Sequence, residues 1–316
     1  MTVDAHAHLD HAFGGGWIDR PAAELVRLLD EAGIDVLVDL SGGWGHQVLA
    51  AHRQHFERAA PDRFRHLAGI EWARWAAEGA AFPPRAAAEL DRALQEGAAG
   101  LKVWKVLGLE VRDEQGERVA IDDERLDPIW ATCAERGAPV VIHVADPPAF
   151  FEPIPAEGQY AEELRLHPDW HWADRTALRP PQLHAELGRV LDRWPALLVV
   201  GAHLLDLVDD LPALHRLLDL HPRLHVDLAA RAHLLAPDLP GLADLLLAHP
   251  ERILFGLDHP PSIAQYRHTL GELCTLVHDC LRGAGALAEH DRILALVLDG
   301  NARRVFSLAR QAGTTR

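Results

Sequence analysis

The chain has 316 residues, 48% of them hydrophobic, and a formal charge of −16. That supplies the core of one barrel-sized domain of roughly 250 residues or more. The negative balance, uninterrupted by any Lys/Arg cluster, excludes a phosphate backbone as an expected partner.

Short runs dense in β-branched and apolar residues recur at 3–9, 35–41, 64–72, 100–105, 139–145, 197–204, 224–230 and 253–258. Between them lie stretches with helical spacing, at 21–32, 85–97, 126–136, 181–194 and 207–220. Eight strands alternating with helices predict an α/β fold, a closed parallel (β/α)8 TIM barrel forming a single domain over 1–316. An open doubly wound sheet would carry a Gly-rich phosphate turn directly after its first strand. Gly14-Gly15-Gly16 instead follows a polar loop and reads as a flexible connection.

Two segments interrupt the rhythm. Residues 110–121 have the form strand, Asp-Glu-Gln-Gly turn, strand, which predicts a hairpin on the barrel rim. Residues 147–179 are rich in Pro and aromatics, including Phe150, Phe151, Tyr160, Trp170 and Trp172, and predict a lid insertion after strand five. The competing use of that insertion is a contact in a homo-oligomer. No membrane partner is expected, because no window offers about 20 uninterrupted apolar residues and no basic, apolar leader opens the sequence. A cytoplasmic location follows as the expectation. Cys133, Cys274 and Cys280 lack CxxC spacing and read as free thiols.

The chemistry concentrates at strand ends. In Asp4-Ala5-His6-Ala7-His8 the two histidines are one residue apart on a strand, so both point to the same face, where paired imidazoles suit a borderline metal such as zinc. With 21 histidines in the chain, one HxH proves little. His143 closes strand five, His203 strand six and Asp258 strand eight. Parallel barrels place their active sites at these C-terminal ends, and four strands delivering His or Asp there point to a metal centre.

These motifs, together with the closing Gly300-Asn301-Ala302-Arg303-Arg304-Val305-Phe306, resemble the amidohydrolase superfamily, in its amidohydrolase-related (family 2) branch, over nearly the whole chain. The resemblance implies His6, His8, His143 and Asp258 as metal ligands, Asp258 also as the proton-transfer group, and His203 as a second-metal ligand or substrate contact. It implies a divalent cofactor, expected as one Zn2+, with Mn2+ or a second ion as alternatives. Lys102 falls where binuclear members carry a carbamylated lysine. An unmodified amine facing substrate competes evenly with that role, and the closing motifs resemble the mononuclear branch more closely.

Lys102 and Lys105 are the chain's two lysines, and a neutral amine is something arginine cannot supply. Strand alternation sends them to opposite sides. Arg231, after the seventh strand, suits a substrate carboxylate or a rim pairing with Asp227 or Asp206. Trp104, Phe151 and Trp172 are candidate substrate contacts, with packing as the alternative.

The leading expectation is hydrolysis of a small ester, amide or lactone. Metal-bound water attacks, Asp258 shuttles the proton, and His203 with Lys102 stabilises the oxyanion. The alternatives are non-oxidative decarboxylation of an aromatic or unsaturated acid, with the same ligands, and a non-catalytic metal-binding barrel. The expected partner is a small-molecule substrate.

Overall fold

The computed structural model describes residues 1–154, 157 and 159–309. Positions 155, 156 and 158 of the expected lid, and 310–316 of the expected domain, lie outside the described residues.

Eight parallel strands follow one another in chain order: β1 (Val3–Ala7), β2 (Val36–Asp39), β3 (Phe64–His66), β4 (Leu101–Val103), β5 (Val140–Ile142), β6 (Val199–Gly201), β7 (Leu224–Asp227) and β8 (Ile253–Leu254). Ladders β1–β3 and β4–β8 join at two seams. Between β3 and β4, Ala68 N donates to Gly100 O (2.9 Å) and Lys102 N to Ala68 O (2.8 Å). Between β8 and β1, Ala5 N donates to Phe255 O (3.0 Å) and Asp258 N to His6 O (2.8 Å). The sheet is therefore a closed barrel without a free edge.

Alternation along the strands makes two apolar layers. Val3, Ala5, Val36, Val38, Leu40, Leu67, Val141, Val200 and Leu254 form the inner cluster, which Ala302, Val305 and Phe306 of the closing segment join. Leu37, Leu101, Val103, Val140, Ile142, Val199, Val226 and Ile253 pack against the helices in the outer one. A fully buried Leu or Val contributes roughly 1.5–3 kcal/mol, so this outer layer fixes the helices in place. The helix Pro180–Arg193 shows the local code. It opens on prolines at its first positions and buries Leu183, Leu187, Val190 and Leu191 on one face.

One local irregularity matters for the site. β1 pairs Val3 with Val36 and Asp4 with Leu37, but then Ala7 with Asp39, so one residue is gained between Asp4 and Ala7. Strict alternation from the inward Val3 and Ala5 would turn His6 and His8 outward. The bulge re-aims both.

Residues 110–121 form no regular strands. A single antiparallel pair, Arg112 with Arg118, flanks a turn whose Gln115 and Glu117 amides both donate to Asp113 Oδ1. Within 147–179 the described residues include a short helix, Gln159–Leu166, and Phe150, Phe151 and Trp172 are buried. All three cysteines are free thiols. No helix among the described residues is long and apolar enough to cross a membrane.

Candidate metal centre

His6, His8 and Asp258 converge where β1 and β8 meet. Asp258 Oδ1 stands 3.5 Å from His6 Nε2 and 3.3 Å from His8 Nε2, and Asp258 Oδ2 is 3.6 Å from His203 Nε2. These gaps exceed a good hydrogen bond. Two ligand atoms each about 2.1 Å from a shared ion, at a near-tetrahedral angle, lie about 3.4 Å apart. The donor set and its spacing thus fit a divalent ion.

The protonation pattern fits as well. His6 Nδ1 donates to Asp227 Oδ2 at 2.8 Å, which leaves the Nε2 lone pair facing the cluster. Burial alone would raise Asp227, yet the neighbouring His6 holds its carboxyl at about 2, so it remains an acceptor. Burial likewise lowers the pKa of His6, favouring the neutral imidazole a metal requires. Asp258, although buried, is held well below the ordinary carboxylate range by His6, His8 and His203.

His203 sits in strained backbone. Residues His203, Leu204, Leu205 and Asp206 all have φ between 53° and 58°, the left-handed region that costs non-glycine residues roughly 1–2 kcal/mol each. Tertiary bonds hold the turn: His203 N donates to Asp227 Oδ1 (2.9 Å), His184 Nε2 to Leu205 O (2.7 Å) and Arg231 Nε to Asp206 Oδ1 (2.8 Å). His203 Nδ1 donates to Ala229 O at 2.9 Å, and burial drives its pKa down to about 3. The ring is neutral, so Nε2 carries a lone pair. In that tautomer Nε2 can accept a hydrogen bond or ligate and has no proton to donate.

His143 stands on the far side of His203, with ring centroids 4.6 Å apart. Its Nε2 faces Asp206 Oδ2 at 3.4 Å and Asp146 Oδ1 at 3.6 Å, and among the described residues neither His143 Nε2 nor Asp206 Oδ2 has a hydrogen-bond partner. His143 is therefore beside, not inside, the compact group of His6, His8 and Asp258. Burial pushes its pKa to about 3.

Lys102 is 1% exposed and belongs to the inward row, in register with Val141 of the inner cluster. Its Nζ has no hydrogen-bond partner among the described residues and lies 4.9 Å from the centre of the Trp104 ring, which itself stacks on His8 at 5.1 Å. Burial lowers the Lys102 pKa to about 8, opposed by the charges of Asp258 and Asp227. Lys105 does go elsewhere: its Nζ binds both oxygens of Asp146 (2.7 and 2.6 Å) beneath Trp170 and Trp172. Trp172 Nε1 also donates to Asp146 (2.6 Å), and Phe151 stacks beneath Trp172 at 6.3 Å. Arg231 makes the rim pairing with Asp206 rather than with Asp227.

Asp227, Asp206 and Asp146 were not singled out by the sequence as site residues. Asp227 could have been, since it ends β7 as Asp258 follows β8. Asp146 follows His143 by three residues but carries no spacing signal of its own.

With this geometry in place, the comparisons decide the family. The Amidohydro_2 model, described as amidohydrolase, matches residues 3–308. The chain belongs to the amidohydrolase family. A search of curated protein sequences finds no match. Among solved structures, 2,6-dihydroxybenzoate decarboxylase from Rhizobium is 19% identical, with TM-score 0.60 over 97% of this chain and 98% of that one. A dihydroxybenzoic acid decarboxylase from Polaromonas sp. JS666, with bound manganese and the inhibitor 2-nitroresorcinol, is 17% identical with TM-score 0.59 over 100% and 99%. An amidohydrolase from Mycobacterium avium subsp. paratuberculosis K-10 is 20% identical with TM-score 0.56 over 94% and 77%. At these identities the likeness establishes the fold, a TIM-barrel amidohydrolase. A divalent metal is the family's cofactor.

Proposed function

We propose that this amidohydrolase-family enzyme removes the carboxyl group of a small aromatic or otherwise conjugated acid as CO2, without an oxidant. The observation that carries the proposal is Lys102. A buried ammonium without a hydrogen-bond acceptor is costly, and among the described residues no carboxylate is in contact with it. An anionic substrate satisfies it, whereas a neutral ester, amide or lactone does not. The fold neighbours whose substrates are dihydroxybenzoates support the same class.

His6, His8 and Asp258 would hold the ion, with His143 drawn in from beside His203 and one Zn2+ as the expected occupant, Mn2+ as its competitor. Bound there, the ion would supply a Lewis acid for the oxygens of the substrate. Lys102, as the unmodified amine, seats the anionic group. Asp258, an anion in the resting enzyme, accepts the proton of a substrate hydroxyl and delivers it to the ring carbon as the carbon–carboxyl bond breaks, so that the bond's electron pair is captured by that proton. Neutral His203 turns its Nε2 lone pair toward the same space, as a hydrogen-bond acceptor or ligand. The described residues within 147–179 cover the mouth, with Trp172 and Phe151 shaping its wall through Asp146 and Lys105, and Arg231 steering a second polar group from the rim.

Hydrolysis remains the second reading, favoured by one observation: Asp258 is ionised beside the two histidines, where it can accept the proton of a water whose acidity a bound cation would raise. The test is turnover by metal-loaded protein on a panel of hydroxybenzoates and of matched esters and lactones. CO2 release from the acids is expected. Ester or lactone cleavage without CO2 release establishes the hydrolase instead.

A further inference from the structure

β2 ends at Asp39, and four donors converge on its fully buried carboxylate. Oδ2 accepts from His52 Nδ1 (2.7 Å) and His66 Nδ1 (2.8 Å). Oδ1 accepts from Ser41 N (3.0 Å) and Ser41 Oγ (2.6 Å). The side chains are of metal-ligating types, but 2.7–2.8 Å is the spacing of direct hydrogen bonds, unlike the 3.3–3.6 Å between Asp258 and the imidazoles around it. Both oxygens of the Asp39 carboxylate are thus taken up by direct hydrogen bonds. The donors come from β3, from the helix His46–His52 and from the turn Ser41–Trp44.

Ser41 also reaches toward the metal centre. Its Oγ accepts from Leu9 N at 2.9 Å, and the preceding Leu40 N donates to Ala7 O at 2.8 Å. These two bonds bracket His8. The β1–β2 ladder ends with Ala7 opposite Asp39, so the His8 backbone lies beyond the last strand pair and Ser41 Oγ holds the residue after it. A hydroxyl that donates to a carboxylate is polarised into a better acceptor, which strengthens the bond to Leu9. The same turn carries Gly43, where a Cβ would stand 2.9 Å from Lys102 Cγ and 2.3 Å from Trp104 Nε1. One turn therefore sets both the His8 backbone and the wall against Lys102.

We propose that Asp39, acting through Ser41, is a positioning residue of the metal centre that fixes where His8 leaves β1. The proposal rests on His6, His8 and Asp258 as ligands and is indifferent to which reaction the enzyme performs. It is tested on the full chain with Zn2+ by chelator competition and by amide hydrogen exchange at Leu9. Ser41→Ala is expected to weaken Zn2+ binding roughly tenfold and to speed Leu9 exchange, with Ser41→Thr restoring both. Phe56→Leu, which thins the outer core around His52 and His66 without touching Ser41, is expected to lower the unfolding midpoint while keeping Zn2+ affinity within twofold. Wild-type Zn2+ affinity and Leu9 protection in Ser41→Ala overturn the proposal. So does a Phe56→Leu variant that loses Zn2+ as strongly as Ser41→Ala. Should Ser41→Ala not fold, Ser41→Cys, a weaker acceptor, is read by the same two measurements and criteria.

Discussion

His6 Nδ1 and Asp227 Oδ2 stand 2.8 Å apart, both essentially without solvent exposure, and this bond decides which nitrogen of His6 faces the metal. Asp227 also holds the His203 amide, so one carboxylate orients groups on β1 and after β6. Asp227→Asn is expected to reduce metal affinity roughly 10–100-fold with little change in fold. Chelator competition with Zn2+ measures it, and a loss below twofold contradicts the orienting role.

Gly256 leaves no room beside His6. A Cβ there would lie 2.6 Å from His6 Cβ and 3.1 Å from Ala229 Cβ. Gly256→Ala is expected to cost about 1–3 kcal/mol and to displace His6, giving protein with less than one metal per chain. Urea unfolding and metal analysis of the same preparation report the two effects together.

Lys102 predicts a pH dependence for ligand binding. Its pKa is lowered to about 8, so the ammonium that pairs with an anion is present below that pH and is lost as pH rises through it. Affinity for a benzoate-class competitor is expected to fall about tenfold per unit above the break, which a bound divalent cation moves lower. In Lys102→Met the profile is expected to be flat. An unchanged slope in that variant removes Lys102 from the anion seat.

Asp39 governs acid stability. Burial opposes its ionisation, but the bonds from His52 and His66 outweigh burial and hold it well below the usual carboxylate range. With the folded pKa depressed, its stabilisation is complete above the unfolded value near 3.8 and declines as pH falls below about 4. Asp39→Asn is expected to lose roughly 3 kcal/mol at pH 7 and to show a shallower decline between pH 5 and 3. Parallel acid limbs in variant and wild type argue against it.

The strand ends were legible because inward positions near a barrel mouth repeat a simple pattern, apolar run then His or Asp, as at His143 and Asp258. The inward aim of His6 and His8 was also legible, but its cause was not. A bulge depends on pairing with β2, and nothing within 3–9 announces it. Asp39, His52 and His66 meet only once a helix has folded back onto two strands, so their spacing in sequence carries no signal. At 110–121 the expected hairpin is reduced to one bridge, Arg112 with Arg118, flanked by Asp113 N to Glu117 O and Val119 N to Val111 O (both 3.0 Å), while Asp113 Oδ1 accepts from two turn amides, a side-chain bond that spacing alone does not reveal. The expected sixth run, 197–204, is a shorter strand, so His203 lies in the turn that follows β6, and its ring is oriented by a carbonyl after the next strand, that of Ala229.

The seam between β8 and β1 has a consequence for how the site is completed. Asp258 lies 250 residues beyond His8, and Asp258 N reaches His6 O only when β8 closes against β1. Before that closure the two histidines lack the carboxylate that completes their group. An ion held by all three would therefore tie the two sides of the seam together and favour the closed barrel over open forms.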